Sequence, residues 1–507
     1  MKTNKIIIVL LITLTGVLAC TKKLNVIDEN SPTSESYFKT AIELQNGVNA
    51  VYSTMRSGQL FAREWSTLHD MRGGEYSSGG PQLEAPRAEL LNQATPAAGN
   101  SVMTDIWTGC YRMINRCNQV LKSAPGVNDN TALRDRIVGE AEFLRAWAYF
   151  ELVSQWGEVP VYTEPVTAPT DFKGKSPIAE IYALIISDLT DAASKLPASY
   201  SAADNGRPTS GAANAMMGRV QLQNGDYAAA KAALLNVYGR YSLVDNYNWN
   251  FDGDVRNDDA TFAYAGHEFN AESIFEVVFT DKGDGGFNWG YNGEGANQPV
   301  ATARAQDQGK TWGNFIPSNR LLDEYEPNDP RFKYTIWEEG DTILTGSTTA
   351  APLVLQAADI NTTTSIKNGV TKKRFFRKYN IYEWVNSGFH MAGLNHRVLR
   401  YADVLLMLAE CEAEIGSPAQ AASYINEVRS RPSVNMPPVT LTTKNAALAA
   451  VIHERWVELA AEENINVDIL RWRKKGYFPS IVTDPKPGQV DFLPIPANEL
   501  ATNPNLR

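Results

Sequence analysis

The sequence predicts a mainly α protein in which stacked helical hairpins carry a loop-rich part with a few short strands. Three observations predict it. The first is the stretch HRVLRYADVLLMLAECEAEIGSPAQAASYINEVRSR, residues 396–431, where Val404, Leu405, Leu408 and Ala409 make one apolar stripe at the helical period and Cys411, Glu412 and Ile415 continue it. Gly416 is placed to close that helix in the left-handed conformation, and Ser417 with Pro418 supplies an N-cap and a first-turn residue for a second helix through Ala421, Ile425 and Val428. The second observation is an earlier copy, NAMMGRVQLQNGDYAAAKAALLNVY. Aligning Gly225 with Gly416 sets Gly218 on Ala409, Ala230 on Ala421, Leu234 on Ile425 and Val237 on Val428. The third is the loss of helical periodicity between about Asn246 and Asn395, where Gly, Asn, Asp and aromatic residues dominate.

Each hairpin is similar to a tetratricopeptide unit, which cannot bury its apolar face alone and must stack on others. Further helices are predicted at Ser34 to Met55 (Phe38, Ile42, Val48, Val51 and Tyr52 inward), Val102 to Leu121, Thr131 to Trp156, and Ile181 to Pro197. Between the first two, Ser57 to Asn100 is rich in Gly, Pro and Gln and reads as a long surface excursion of the functional kind. The expected organisation is a signal segment over residues 1–19 and one compact mature body over 20–507. Its helical scaffold covers about 33–245 and 396–507, and its loop-rich, ligand-side part about 246–395.

The chain begins as a secreted one. Lys2 and Lys5 precede the apolar run Ile6 to Leu14, which is too short to span a bilayer, and Val17-Leu18-Ala19-Cys20 follows. A Cys behind a small residue there resembles the lipobox of bacterial lipoproteins, so Cys20 is the expected lipidation site and the polar TKKLNVIDENSP a tether from the lipid to the fold. Cys110 and Cys117 are seven apart on one helix, about 10 Å by helical rise, too far to bridge. With Cys411 they read as buried small hydrophobes. A net charge of −10 argues against a nucleic-acid partner, which would need clustered Lys and Arg.

Catalytic and metal motifs are incomplete. His453-Glu454 starts like a zinc-protease helix, but Val457 stands where the second His belongs, leaving the pair as a surface feature. Gly309-Lys310-Thr311 lacks the first Gly of a phosphate loop, since Arg304 occupies its place. Asp252-Gly253-Asp254 and Asp281 to Asp284 do not complete a calcium loop. No catalytic residue, metal or cofactor is expected, although two carboxylates suffice for a glycosidase and 57 acidic residues leave that rival open.

The positive signal is aromatic. Asn288, Trp289, Tyr291 and Asn292 lie in DGGFNWGYNGEG, and Trp312 and Asn314 in KTWGNF, with Gly exposing a ring beside Asn able to make paired hydrogen bonds. A sugar needs both, an apolar surface for its C–H face and polar partners for its hydroxyls. Trp65, Arg72 and Tyr76, in the first long excursion, form a second set of candidates.

Several stretches in order resemble one family. AEFLRAWAYFELVSQWGEVPV (Ala141 to Val161), IYALIISDLTDAASKLP (Ile181 to Pro197), Gly206-Arg207, ESIFEVVF (Glu272 to Phe279), Pro317 to Arg331, Lys378-Tyr379, Arg400-Tyr401-Ala402-Asp403 with Ala409-Glu410, Asn426-Glu427-Val428-Arg429, Glu454-Arg455, Asp468, Arg471-Trp472 and Leu493 to Leu506 are similar to the SusD/RagB family of outer-membrane nutrient-uptake lipoproteins. Ile465 and Arg473 replace an Arg and a Gly usual there, and the usual Gln-Asn-Pro-Gly-Tyr tail is absent. The resemblance implies a SusD-like fold, a non-catalytic glycan-binding lipoprotein facing the cell exterior, and a SusC-like TonB-dependent transporter for which it acts as lid. It implies no contact residue, because the ligand loops of the family vary. Peptide or other nutrient cargo is the nearest alternative, and a purely structural repeat scaffold a further one.

Overall fold

The computed structural model describes residues 37–253, 255–256, 262–264, 266–279, 302–310, 312–343, 353–379 and 393–507. Asn288, Trp289, Tyr291, Asn292, the signal segment with Cys20, Asp254 and Asp281 to Asp284 lie outside them.

Of the helix expected from Ser34 to Met55, Ser34 lies outside the described residues, and Ala41–Met55 forms helix α1, which starts after Thr40 because Thr40 and Glu43 make a reciprocal capping box. The expected excursion from Ser57 to Asn100 instead holds α2 (Glu64–Gly73), β1 (Tyr76–Ser78) and α3 (Ala85–Asn92). Nine consecutive residues of α2, from Trp65 to Gly73, are buried, so it lacks the one-sided apolar stripe by which a surface helix is read. Helices α4 (Ser101–Ser123) and α5 (Thr131–Trp156) follow, with Asn100 and Asn130 as side-chain N-caps, and α6 (Ile178–Lys195) packs along α5.

The first hairpin is α7 (Ser210–Asn224) and α8 (Tyr227–Leu235), closed by Gly225 at φ 88°. At Gly218 an added Cβ would lie 2.4 Å from the Leu234 side chain, so the two helices approach only because that position has none. Next come β2 (Val255–Arg256), β3 (Phe262–Tyr264), β4 (Ser273–Val277), α9 (Arg304–Gln308), β5 (Phe315–Pro317), α10 (Asn319–Glu324) and α11 (Arg331–Thr335). They are followed by β6 (Ile336–Glu338), β7 (Thr342–Ile343), β8 (Leu353–Val354), β9 (Thr364–Lys367), β10 (Val370–Phe376) and β11 (His396–Arg400). The described strands pair antiparallel as β1 with β5, β6 with β10 with β9, β11 with β4, β2 with β3, and β7 with β8.

The second hairpin is α12 (Tyr401–Ile415) and α13 (Pro418–Arg429), and α8 packs against α12 as stacked repeats do. Three details differ from the sequence reading. His396 to Arg400 is not helical; it forms β11 against β4. Gly416 has φ −118°, outside the left-handed region, and the Glu412 carboxylate folds back into the space a Cβ would take. Ser417 makes no side-chain cap; its backbone N–H donates to Glu412 Oε2. The chain ends with α14 (Lys444–Glu458), α15 (Asn464–Lys474) and α16 (Ala497–Thr502). One apolar cluster runs from Ala41 to Leu493, with two smaller ones, around Tyr247, Phe251 and Tyr379 and around Trp337, Ile343 and Phe375. Cys110, Cys117 and Cys411 are free thiols inside.

The polar residues of the sequence signatures meet in that interior. Arg400 donates to Glu272 at 2.7 Å, Glu458 at 2.7 Å and Glu462 at 2.6 Å, and Arg431 to the same Glu272 and Glu458 at 2.6 and 2.9 Å. Arg331 joins Asp329 to Glu454 and Glu458, Arg455 joins Asp403 to Asp468, and Lys378 donates to Glu462. Glu454 is therefore buried at the end of an ion pair, not on the surface, and His453 lies between Glu324 and Glu326. At the two positions that depart from the family pattern, Ile465 fills the core and Arg473 makes a bidentate pair with Asp484 at 2.8 and 2.9 Å.

Candidate functional site

The site is built outward from the short β1–β5 ladder, in which Ser78 pairs with Phe315. Beyond it Gly79 N–H donates to Asn314 O at 2.8 Å, and the two backbones come so close that a Cβ on Gly79 would lie 1.7 Å from Gly313 O. Gly313 itself turns at φ 47°, which favours glycine. A third segment closes the tip. Thr363 N–H donates to Gly79 O at 2.7 Å, its hydroxyl to Ser78 O at 2.9 Å, and Asn361 N–H to Lys310 O at 2.8 Å. Gln82 clamps the turn from outside, its Nε2 donating to Trp312 O at 2.8 Å and Gly313 O at 2.9 Å.

Trp312 is presented on this braced tip with 41 % of its surface exposed, high for a tryptophan. Pro81, Asn361 and Thr363 on the neighbouring segments are also exposed. An open indole beside an amide and a hydroxyl, on a support fixed by backbone hydrogen bonds, can take a ring with one apolar face and hydroxyls at its edge.

The other candidates among the described residues fall elsewhere. Asn314 is 3 % exposed and spends its amide on Asp307 Oδ1 at 2.6 Å; Asp307 in turn is held by Arg63 at 3.0 and 3.1 Å. It braces the tip from below. Trp65, Arg72 and Tyr76 are corrected from ligand contacts to interior groups. Trp65 stacks on Phe61 at a 4.2 Å ring separation with His69, Trp147 and His396 around it. Tyr76 packs on Phe315 and Phe376, and its hydroxyl accepts from Gln308. Arg72 donates to Val490 O at 2.7 Å, and burial, together with the neighbouring Arg473, pushes its guanidinium down to about 10. A side chain closed in by packing offers no face to a ligand.

Sequence reasoning missed Gln82, Asn361 and Thr363. The Gly79-Gly80-Pro81-Gln82 turn was the available signal for the first; the other two join the site only through a contact between segments some 50 and 280 residues apart in sequence. Among the described residues no group of three or more His, Cys, Asp or Glu could hold a metal, and no helix is long and apolar enough to cross a membrane. Asp252 is engaged with His267, at 2.7 Å from its Nδ1.

Comparison with known proteins gives a consistent answer along the chain. The profile of the SusD family matches residues 271–507, and one described as starch-binding associating with outer membrane matches residues 29–222. SusD-like protein P2 of Formosa agariphila is 27 % identical over 529 residues, covering 100 % of this chain and 99 % of that protein. A SusD-like protein from Bacteroides fragilis superposes with a TM-score of 0.74 at 22 % identity over 94 % of this chain and 99 % of its own. A laminarin binding SusD-like protein superposes with a TM-score of 0.68 at 24 % identity over 92 % and 98 %.

Proposed function

The chain belongs to the SusD family, and from that premise we propose that it is a cell-surface lipoprotein which captures oligosaccharide at the Trp312 face and delivers it to a partner TonB-dependent transporter of the outer membrane, acting as its lid. The observation that carries the reading is the exposed Trp312 ring on a tip braced by three separate segments. A ring that served only packing would be covered, and a tip that served only as a turn would not need Gln82 and Thr363 to hold it. Trp289 and Tyr291, with Asn288 and Asn292, are proposed to complete the aromatic surface. Cys20 is the proposed lipid anchor, holding the body outside the membrane without spanning it. The protein binds and passes on its cargo unchanged.

Calorimetry against a panel of neutral oligosaccharides and peptides tests this. The net charge of −10 makes neutral glucans the first choice, beginning with laminarihexaose. Trp312→Ala should weaken glycan binding by about 30-fold, the loss of about 2 kcal/mol typical of a truncated aromatic anchor. Glycan affinity unchanged in that variant would remove the site; binding of peptides alone would change the cargo, and release of reducing ends would make the protein an enzyme.

A further inference from the structure

A second aromatic cleft, of about 480 Å³, shares no residue with the Trp312 face. It lies where the loop after α6, the start of α7, the turn after α8 and the segment leading into β4 meet. Four rings line it, Tyr200, Tyr241, Phe269 and Phe275, the last packed inward against Phe143. The tyrosine hydroxyls are already engaged, Tyr241 with Thr209 Oγ1 at 3.1 Å and Tyr200 donating to Pro208 O at 3.2 Å. Tyr241 can sit where it does only over Gly211, where a Cβ would come within 2.4 Å of its hydroxyl.

Phe269 is the unusual member. Its φ is 54°, the left-handed region that a bulky L side chain avoids, and the residue is 36 % exposed. Its N–H donates to Glu276 Oε1 at 3.1 Å, and Glu276 is fixed in turn by Asn395 Nδ2 at 2.8 Å. The fold thus maintains an unfavourable backbone while leaving more than a third of an apolar residue open to the cleft, a combination that belongs with ligand sites. At the same cleft Asn205 and Arg240 are exposed, and their side chains make no hydrogen bond or ion pair among the described residues. The cleft therefore offers aromatic faces, one free amide and one free guanidinium, in a volume within the range of small-ligand pockets.

We propose that this cleft is a second carbohydrate site, taking one or two pyranose units of a neutral glycan, with a sugar face on Phe269 or Tyr241 and hydroxyls on Asn205 and Arg240. It rests on the glycan-binding reading but not on Trp312. Two sites on one body would hold a long chain at two points and raise its residence by effective concentration.

The test is calorimetry with laminarihexaose on the full chain and on Phe269→Gly, Trp312→Ala and the double variant, each with its melting temperature. Glycine accepts φ 54° freely, so Phe269→Gly should melt no lower than the parent; a clear fall would show that the ring is packing and overturn the proposal. The expected titration has a stoichiometry of two, with one site weakened about tenfold or more by Phe269→Gly and the other by Trp312→Ala. The exposed pair Asn205→Ala with Arg240→Ala should reproduce the first effect. One site, lost in Trp312→Ala and untouched in Phe269→Gly, overturns the second site and leaves the proposed function standing. One site, lost only in Phe269→Gly, supports the cleft and removes the Trp312 face. No binding by the parent chain overturns both.

Discussion

Arg431 illustrates what single residues do in this protein. It is fully buried, and its guanidinium faces Glu272 and Glu458, which Arg400 also contacts. Cutting one cation out of such a cluster leaves a buried carboxylate uncompensated, so Arg431→Met should lower stability by about 3–5 kcal/mol, read as the shift of the urea unfolding midpoint. The sequence had already marked most of these positions. Arg400, Asp403, Glu410, Arg429, Glu454, Arg455, Asp468 and Arg471 all stand in the stretches that carry the family likeness. Their chemistry, however, was hidden. A charged residue on an apolar helix reads as surface until the partner chain segment that neutralises it is known, which is why His453 and Glu454 were expected outside.

Elements show the same division. Helix α5 is expected over Thr131 to Trp156 and occupies those residues, because both its ends are marked locally, by the Asn130 cap and by Gly157 after Trp156, although Gly139 to Trp156 are all buried. The stretch from Ser57 to Asn100 was not legible, since α2 has no side-chain cap to mark its start at Arg63 and its hydrogen-bonding residues serve distant partners such as Glu151 and Asn466 around His69. Between α10 and α14, His453 Nδ1 lies 2.8 Å from Glu324 and Nε2 3.2 Å from Glu326, while Arg320 faces Glu324 and Arg429 faces Glu326. Burial alone would lower the imidazole, but Glu324, Glu454 and Glu326 outweigh it and raise its pKa above the ordinary 6.5. A raised folded-state pKa contributes stability that is fully present below about pH 6.5 and disappears as pH climbs through the folded value. Thermal melts from about pH 5.5 to 8.5 should therefore fall more steeply for the parent than for His453→Gln; parallel curves would show that the junction does not titrate.

At the scale of the whole molecule two sets of buried acids pull in opposite directions. Burial would raise Glu272, but Arg431 and Arg400 hold it down to about 2, so the stability it contributes is present above about pH 4.5 and is lost as pH falls through 2. Glu458 and Asp403 are depressed in the same way by their arginines. Burial raises Glu64 to about 7 and Glu75 and Glu142 to about 8, and their contribution is present below about pH 4.5 and lost as pH rises through 7 to 8. The two windows meet in mild acid. The melting temperature should peak between about pH 4.5 and 6, and a peak above pH 8 would contradict this balance.

The sequence by itself determined the helical class, the two hairpins and the family, because periodicity, caps and signatures are properties of neighbouring residues. Only the tertiary structure decided which aromatics are open. Trp65 and Trp312 have equal claims as residues, yet one lies against Phe61, Trp147 and His396 in the core and the other stands on a tip made from residues 78–82, 310, 312–314 and 361–363. Exposure of a ring depends on what distant segments bring to its two faces, and that information does not reside in the residues beside it.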